Sequence, residues 1–357
     1  MNLSEAGEAF TAGTLGSAAG LHFDSVTKRY RGAAALTEAS FAALPGEIVS
    51  VTGPSGAGKT TSARLVSGLE QLDGGRILLG GRDLGVLPPQ QRAIAHMFES
   101  YALYPNLKVF DNVASPLRAP GHGRRIPETE IRERVEALLA LTEMESLAAR
   151  LPAQLSGGQK QRVALCRTLV QTPAAYLLDE PIAHLDAKLR HRLRGDIRRR
   201  LKATGKPAVW YTPDAVEAMA VGDRVVVLIG GEVHQQGTPE DVFLAPADIQ
   251  VARLLGDPPM NLVAATVLAE DGRFVAEHAS GRVPLPERLR PALQARSGNA
   301  SSVVLGLRPA ALSVSAVADA AAGLRGEVYT TEPFGKHVVI AVRLGADLVR
   351  ARVDPLV

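Results

Sequence analysis

Short apolar runs alternate with glycine-rich breaks and helical stretches along the first part of the chain. Phe23 to Tyr30 alternates apolar and polar positions, as a half-buried strand does. Ile48 to Thr52 is a short β-rich run that opens into a glycine-rich loop, and a helix is predicted from about Thr60 to Leu69. Ala174 to Leu178 is a continuous apolar run closed by two acids, the pattern of a buried strand. Val209 to Thr212 and Arg224 to Ile229 repeat that pattern, and Gly230 and Gly231 turn the chain into Glu232 to Gln236. Strands separated by helical stretches predict an α/β fold with a parallel core.

Between about Ala95 and Val170 the pattern is mainly helical. Ile131 to Leu141 repeats apolar residues at helical spacing, bounded by Pro127 and Gly157. This predicts a helical subdomain inserted between the two halves of the sheet. After about Asp257 an Asp-Pro-Pro stretch breaks the chain. Ser302 to Leu307, Gly326 to Thr330 and His337 to Val342 then read as short strands among many turns. They predict a small, separate β-barrel. The expected organisation is a flexible tail over 1–20, a main domain over 21–256 with its helical subdomain at about 95–170, and a β domain over 257–357.

Composition narrows this picture modestly. A chain of 357 residues with 46% hydrophobic content can build two or three domains. A net charge of +3 argues against a dedicated nucleic-acid binder. The single cysteine, Cys166, permits no internal disulfide and fits a reducing compartment. The sequence has no apolar run of the roughly 18 residues needed to span a bilayer. Met1 to Gly20 lacks the basic start and apolar core of a secretory signal. Work at a membrane would therefore mean docking on other chains.

The candidate chemistry begins at Gly53-Pro54-Ser55-Gly56-Ala57-Gly58-Lys59-Thr60, followed by Thr61. This fits G-x-x-x-x-G-K-[ST] between a predicted strand and a predicted helix. The glycines let backbone N–H groups turn inward around phosphate oxygens, and the helix N-terminus adds positive potential. Lys59 can reach the β- and γ-phosphates, and the Thr60 hydroxyl can ligate Mg²⁺. Asp179, at the end of a buried strand, can hold the Mg²⁺ shell. Glu180 follows it and can polarise an attacking water. Taken alone, the acid pair also reads as a solvated turn.

Leu155-Ser156-Gly157-Gly158-Gln159, followed by Gln161-Arg162, strongly resembles the signature of ABC ATPases. The resemblance covers nearly the whole chain after the tail. It implies a P-loop NTPase fold with ATP and Mg²⁺ as cofactors. It also implies that two ATPase subunits pair head to tail, so that each Ser156-to-Gln159 signature closes over the nucleotide on the other's P-loop. Tyr30 falls where the family stacks an aromatic on adenine; an exposed or strand-packed tyrosine is the alternative. Ala183-His184-Leu185-Asp186 occupies the D-loop, with Asp186 near the dimer seam. Tyr101-Ala102-Leu103-Tyr104-Pro105 matches a segment that helps form the groove for a permease coupling helix.

Leu254-Leu255-Gly256, Met260-Asn261 and Leu305-Gly306-Leu307-Arg308-Pro309 resemble the accessory OB/TOBE-like β-barrel of carbohydrate-importer ATPases of the maltose and glycerol-phosphate type. The chain is expected to stop early in that domain. The implied protein is an importer motor for sugars, polyols or glycerol-type solutes. Its expected place is the cytoplasmic face of the membrane, with permease chains, a second ATPase subunit and, indirectly, a solute-binding protein as partners and no nucleic acid.

Two positions depart from the family. After Phe98 the family has Gln, where the side chain meets Mg²⁺ and the attacking water; here it is Glu99. A carboxylate can still ligate Mg²⁺, but it adds negative charge beside the γ-phosphate. After Tyr211-Thr212 the family has a His that bonds the γ-phosphate; here it is Pro213, which offers neither a side-chain donor nor a backbone N–H. His184 is close in sequence but belongs to the D-loop. Either the chain hydrolyses ATP with Glu180 despite both changes, or it pairs with a different ATPase subunit and lends it a signature. A nucleotide sensor and a non-transport ABC ATPase are the readings from other classes. The arginine-rich stretch Leu189 to Lys202 reads as a solvated helix face, and Cys166 as a buried structural thiol.

Overall fold

The computed structural model describes residues 19–119, 126–270, 272–294, 300–315 and 323–355. The predicted tail lies outside these residues except for Ala19 and Gly20. The chain forms two compact units, Met1–Ala247 and Asp248–Val357.

The first unit opens with β1 (Leu21–Tyr30), β2 (Ala33–Ala43) and β3 (Ile48–Thr52). The helix α1 (Lys59–Ser67) and strands β4 (Gly74–Leu79) and β5 (Arg82–Asp83) follow. Strands β2-β1-β4-β5 form one sheet, antiparallel at every pairing. The alanine-rich β2 has a poor strand propensity of its own. Pairing with β1 decides its state, because it buries Phe41 against Phe23 with ring centroids 4.1 Å apart.

The chain continues through β6 (Ile94–Met97), α2 (Val109–Arg118), α3 (Glu128–Leu141) and α4 (Gly157–Leu169). It then runs through β7 (Ala175–Asp179), α5 (Ala187–Ala203), β8 (Ala208–Thr212), α6 (Ala215–Val221), β9 (Arg224–Ile229), β10 (Glu232–Gly237) and α7 (Pro239–Leu244). A six-stranded sheet of order β10-β9-β3-β8-β7-β6 results, parallel except for the β10 edge. Every residue of β3, β7 and β8 is buried, which is why these runs read as continuously apolar.

One expectation is corrected. The stretch from Ala95 is not helical at its start, because Ile94–Met97 pairs in parallel with β7, Ile94 opposite Ala175 and Met97 opposite Leu178. Four residues interrupted by His96 are too short to display a strand period. The helical insertion therefore lies between β6 and β7. Its core joins Val113 and Leu117 of α2, Val135 and Leu138 of α3, and Val163 and Cys166 of α4. The Cys166 thiol lies 3.2 Å from Thr142 Oγ1, and burial pushes its pKa up to about 12, so it packs as an inert group.

On α5, Leu189, Leu193, Ile197 and Leu201 form the buried stripe. Several of the basic residues around it are ion-paired, Arg192 with Glu143 and both Arg198 and Lys202 with Asp223. Asp223 also accepts the Ile48 N–H at 2.9 Å, which ties α5 to the start of β3.

The second unit begins with α8 (Ile249–Leu254). It contains β11 (Asn261–Glu270), β12 (Arg273–His278), β13 (Gly281–Pro284), α9 (Arg290–Gln294), β14 (Ala300–Leu307) and β15 (Gly323–Leu324), followed by β16 (Glu327–Pro333), β17 (Val338–Leu344) and β18 (Asp347–Val353). The strands form a five-stranded sheet, β14-β11-β12-β13-β15, and a three-stranded one, β16-β17-β18. Asn261 joins them. Its Nδ2 donates to Leu307 O at 3.0 Å and Arg350 O at 2.7 Å, and its Oδ1 accepts the Arg350 N–H at 2.7 Å. Val263, Leu344 and Val349 pack together beside it.

Asn261→Ala removes all three bonds and is expected to cost the second unit about 2 kcal/mol. Amide hydrogen exchange should accelerate in β11 and β18 while β3 in the first unit keeps its wild-type protection.

Candidate nucleotide-binding site

Residues 53–58 join β3 to α1 and can be built only with glycine at particular places. A Cβ on Gly53 would stand 1.8 Å from Leu228 O. Gly58 has φ +103°, and a Cβ there would stand 2.4 Å from Ala35 O. The first bond of α1 runs from the Ser62 N–H to Gly58 O at 2.9 Å. The N–H groups of Lys59, Thr60 and Thr61 therefore precede the intrahelical ladder and form an anion-attracting helix start. Pro54 O accepts the Ala57 N–H at 3.2 Å, which closes the loop, while Ser55 and Gly56 are exposed at its crest. Lys59 Nζ donates to Gly53 O at 2.7 Å and Pro54 O at 2.9 Å, which leaves its third proton for a phosphate oxygen. Burial lowers the Lys59 pKa, and Glu180, Asp179 and Glu99 oppose that shift.

The acids come from the ends of β7 and β6, beyond β8 in the same sheet. Asp179 ends β7 and is buried; burial, with Glu99 and Glu180 adding to it, pushes its pKa up to about 6 against the Thr60 hydrogen bond and Lys59. Glu180 follows with φ +48°, a left-handed backbone that costs a non-glycine residue about 1 kcal/mol. Two bonds hold it there. Its N–H donates to Tyr211 O at 2.9 Å, and its carbonyl accepts from Gln161 Nε2 at 2.7 Å.

Thr60, Glu99 and Asp179 line one cavity of about 250 Å³ together with Arg64, His96, Phe98 and Ser100. The three predicted metal residues are thus brought together. Their donors are a hydroxyl and carboxylates, the oxygen set that suits a hard cation such as Mg²⁺. Among the described residues no cluster of three or more His, Cys, Asp or Glu could hold a metal ion. His96 is a member that sequence reasoning missed. Both of its ring nitrogens are buried without a hydrogen-bond partner, and burial with Arg64 lowers its pKa to about 4, so it stays neutral. Recognising β6 as a strand leading into Phe98 and Glu99 would have flagged it.

The remaining predicted residues stand elsewhere. Tyr30 ends β1, is exposed, and has Lys28 Nζ 5.2 Å from its ring centroid. Ser156 caps α4: its Oγ accepts the Gln159 N–H at 3.3 Å, and Gln159 Oε1 accepts the Ser156 N–H at 2.9 Å. Ser156 and Gly157 are exposed, and neither they nor Gly158 and Gln159 line the cavity around Thr60. Asp186 caps α5 through the Leu189 N–H at 2.9 Å. Pro213 is exposed in the turn after β8. Asp214 caps α6 behind it, and Trp210 Nε1 donates to the buried Glu217 at 2.7 Å, so the turn is anchored from both sides.

Comparison with known proteins accounts for this layout. Residues 36–183 match the ABC transporter family, and residues 256–312 match the MalK OB fold domain. The Fe(3+) ions import ATP-binding protein FbpC 1 of Rhizobium meliloti (strain 1021) is 39% identical over 94% of this chain and 90% of its own length. The chain belongs to the ABC transporter ATP-binding family. The subunit is also 41% identical to the sn-glycerol-3-phosphate import ATP-binding protein UgpC of Chromohalobacter salexigens, over 91% of this chain and 84% of that protein. Among solved structures, the dimeric ATP-binding cassette MJ0796 bound to ADP and Pi in a post-hydrolysis state has 30% identity and a TM-score of 0.57. It covers 61% of the subunit and 98% of that cassette. The subunit is therefore an importer-type ABC ATPase with a P-loop NTPase core and a MalK-type OB domain. No helix among the described residues is long and apolar enough to cross a membrane.

The raised pKa of Asp179 makes its ionisation oppose folding as pH rises from about 4 to about 6, and an amide has no such slope. Asp179→Asn is expected to raise the stability of the nucleotide-free subunit at neutral pH by about 3 kcal/mol and to abolish the added stability conferred by MgATP. Thermal melts with and without MgATP check both.

Proposed function

We propose that the subunit binds MgATP between its own P-loop and the signature of a second ATPase subunit, and drives uptake of sugars, polyols or glycerol-type solutes through permease chains at the cytoplasmic face of the membrane. The match of residues 256–312 to the MalK OB fold domain carries the solute class. The sn-glycerol-3-phosphate import relative supports it. The Fe(3+) import relatives name the rival cargo, and uptake of radiolabelled glycerol 3-phosphate, maltose and ferric iron by cells with and without the gene separates them.

In this reading the N–H groups at the start of α1 and the Lys59 ammonium hold the β- and γ-phosphates, and Tyr30 supports the adenine. Mg²⁺, when bound, would offset the negative charge of the phosphate oxygens. Thr60 and Asp179 would hold it, with Glu99 as a further carboxylate. Glu180 accepts the proton of the attacking water. Ser156 to Gln159 serve the nucleotide on the partner subunit.

Glu99 and Pro213 favour a second, narrower form of this reading, an asymmetric pair. The carboxylate adds charge where charge accumulates during transfer, and the turn after β8 supplies no donor there. Its own site is then slow, and its signature completes a faster site on a different subunit. Pro213→His is expected to raise hydrolysis by the isolated subunit by about tenfold or more, the scale of a well-placed donor in such a site. Brisk hydrolysis by the isolated wild-type subunit, at rates unchanged by Pro213→His, would remove the asymmetric form and leave a homodimer.

A further inference from the structure

Tyr101 OH and His184 Nδ1 share a hydrogen bond of 2.9 Å, with the two rings edge to face. It links the loop before α2 to the loop after Glu180, two segments far apart in the chain. Both partners are also fixed to α4. Tyr101 and Ala102 have φ of +62° and +45°, a pair of left-handed non-glycine residues. Arg167 of α4 holds that turn, donating to Tyr101 O at 2.7 Å and Ala102 O at 2.7 Å. At the other end the His184 N–H donates to Gln161 Oε1 at 3.0 Å. Gln161 is buried, and its Nε2 is the donor that holds the Glu180 carbonyl. A Cβ on Gly158 would stand 2.8 Å from His184 O, so α4 lies hard against this loop.

These contacts close a ring: Tyr101, His184, Gln161, the body of α4, Arg167 and back to Tyr101. Glu180 hangs from it by one bond, in a backbone conformation it would not keep unaided.

We propose that His184 and Tyr101 are a positioning pair, which pins the loop after Glu180 to the loop before α2 and so sets the aim of the Glu180 carboxylate. A displacement of the Tyr101 loop then reaches the hydrolytic group through His184 and Gln161. The inference rests on the reading of Glu180 as the proton acceptor.

The test is a double-mutant cycle on the full-length subunit, read by ATP turnover and by amide exchange. Tyr101→Phe and His184→Ala should each lower kcat about fivefold, the worth of one hydrogen bond, with KM for ATP unchanged. The double variant should be no slower than the slower single one. His184→Asn places a polar atom where Nδ1 was and should stay within about twofold of wild type. Exchange of the amides over residues 180–186 should quicken in Tyr101→Phe and His184→Ala and not in His184→Asn, a readout that needs no turnover. Losses that multiply in the double variant, an unchanged kcat, or unchanged exchange over 180–186 overturns the pair. Glu180→Gln, run alongside, tests the other reading: hydrolysis at the wild-type rate there removes Glu180 as proton acceptor, while the exchange data still judge the pair.

Discussion

The site is organised by an imbalance of charge at the carboxyl end of the parallel sheet. Lys59 faces Asp179, Glu180 and Glu99, and each of these acids opposes the fall in its pKa that burial causes. The fold resolves part of this by burying Asp179 until its affinity for a proton rises, and part by bonding it to Thr60. What remains is a pocket in which three carboxylates outnumber the Lys59 and Arg64 cations, a setting that favours an added cation beside a polyphosphate. A divalent ion and a nucleotide therefore suit the pocket jointly better than either suits it alone. The departure at Glu99 deepens this dependence, since an amide at that position would leave the pocket one charge less negative.

The helix α4 does more than present a signature. Its first turn is locked by the reciprocal Ser156–Gln159 cap. Its middle carries Gln161, which holds Glu180, and Cys166, which fills the helical core. Its last turn carries Arg167, which holds the turn at Tyr101. One rigid rod thus runs from the exposed Ser156 cap, past the acid that follows β7, to the loop before α2. Rigid elements of this kind transmit displacement because their own hydrogen bonds do not yield first.

Much of this was legible in the sequence where physics acts locally. β3, β7, β8 and β9 were found because strands buried on both faces must be apolar throughout. The phosphate loop was found because its glycines answer to steric demands that no other residue meets. β2 was not, because its alanines carry a helical preference that only pairing with β1 overrides. β6 was not, because four residues set no period, and His96 was lost with it. The Tyr101–His184 contact was out of reach for a different reason. It joins residues remote in sequence through loops whose conformations no propensity encodes, although both residues lay in segments already singled out.

Trp210 gives the buried Glu217 contact an optical consequence. It is the only tryptophan in the chain, so all indole emission arises from one place on β8. That indole is sealed from solvent and bonded to a carboxylate at the base of the turn bearing Pro213. Its spectrum and lifetime respond to small shifts of that carboxylate. The molecule therefore carries an intrinsic fluorescent gauge of the turn after β8, able to follow its rearrangement through a nucleotide cycle without any label.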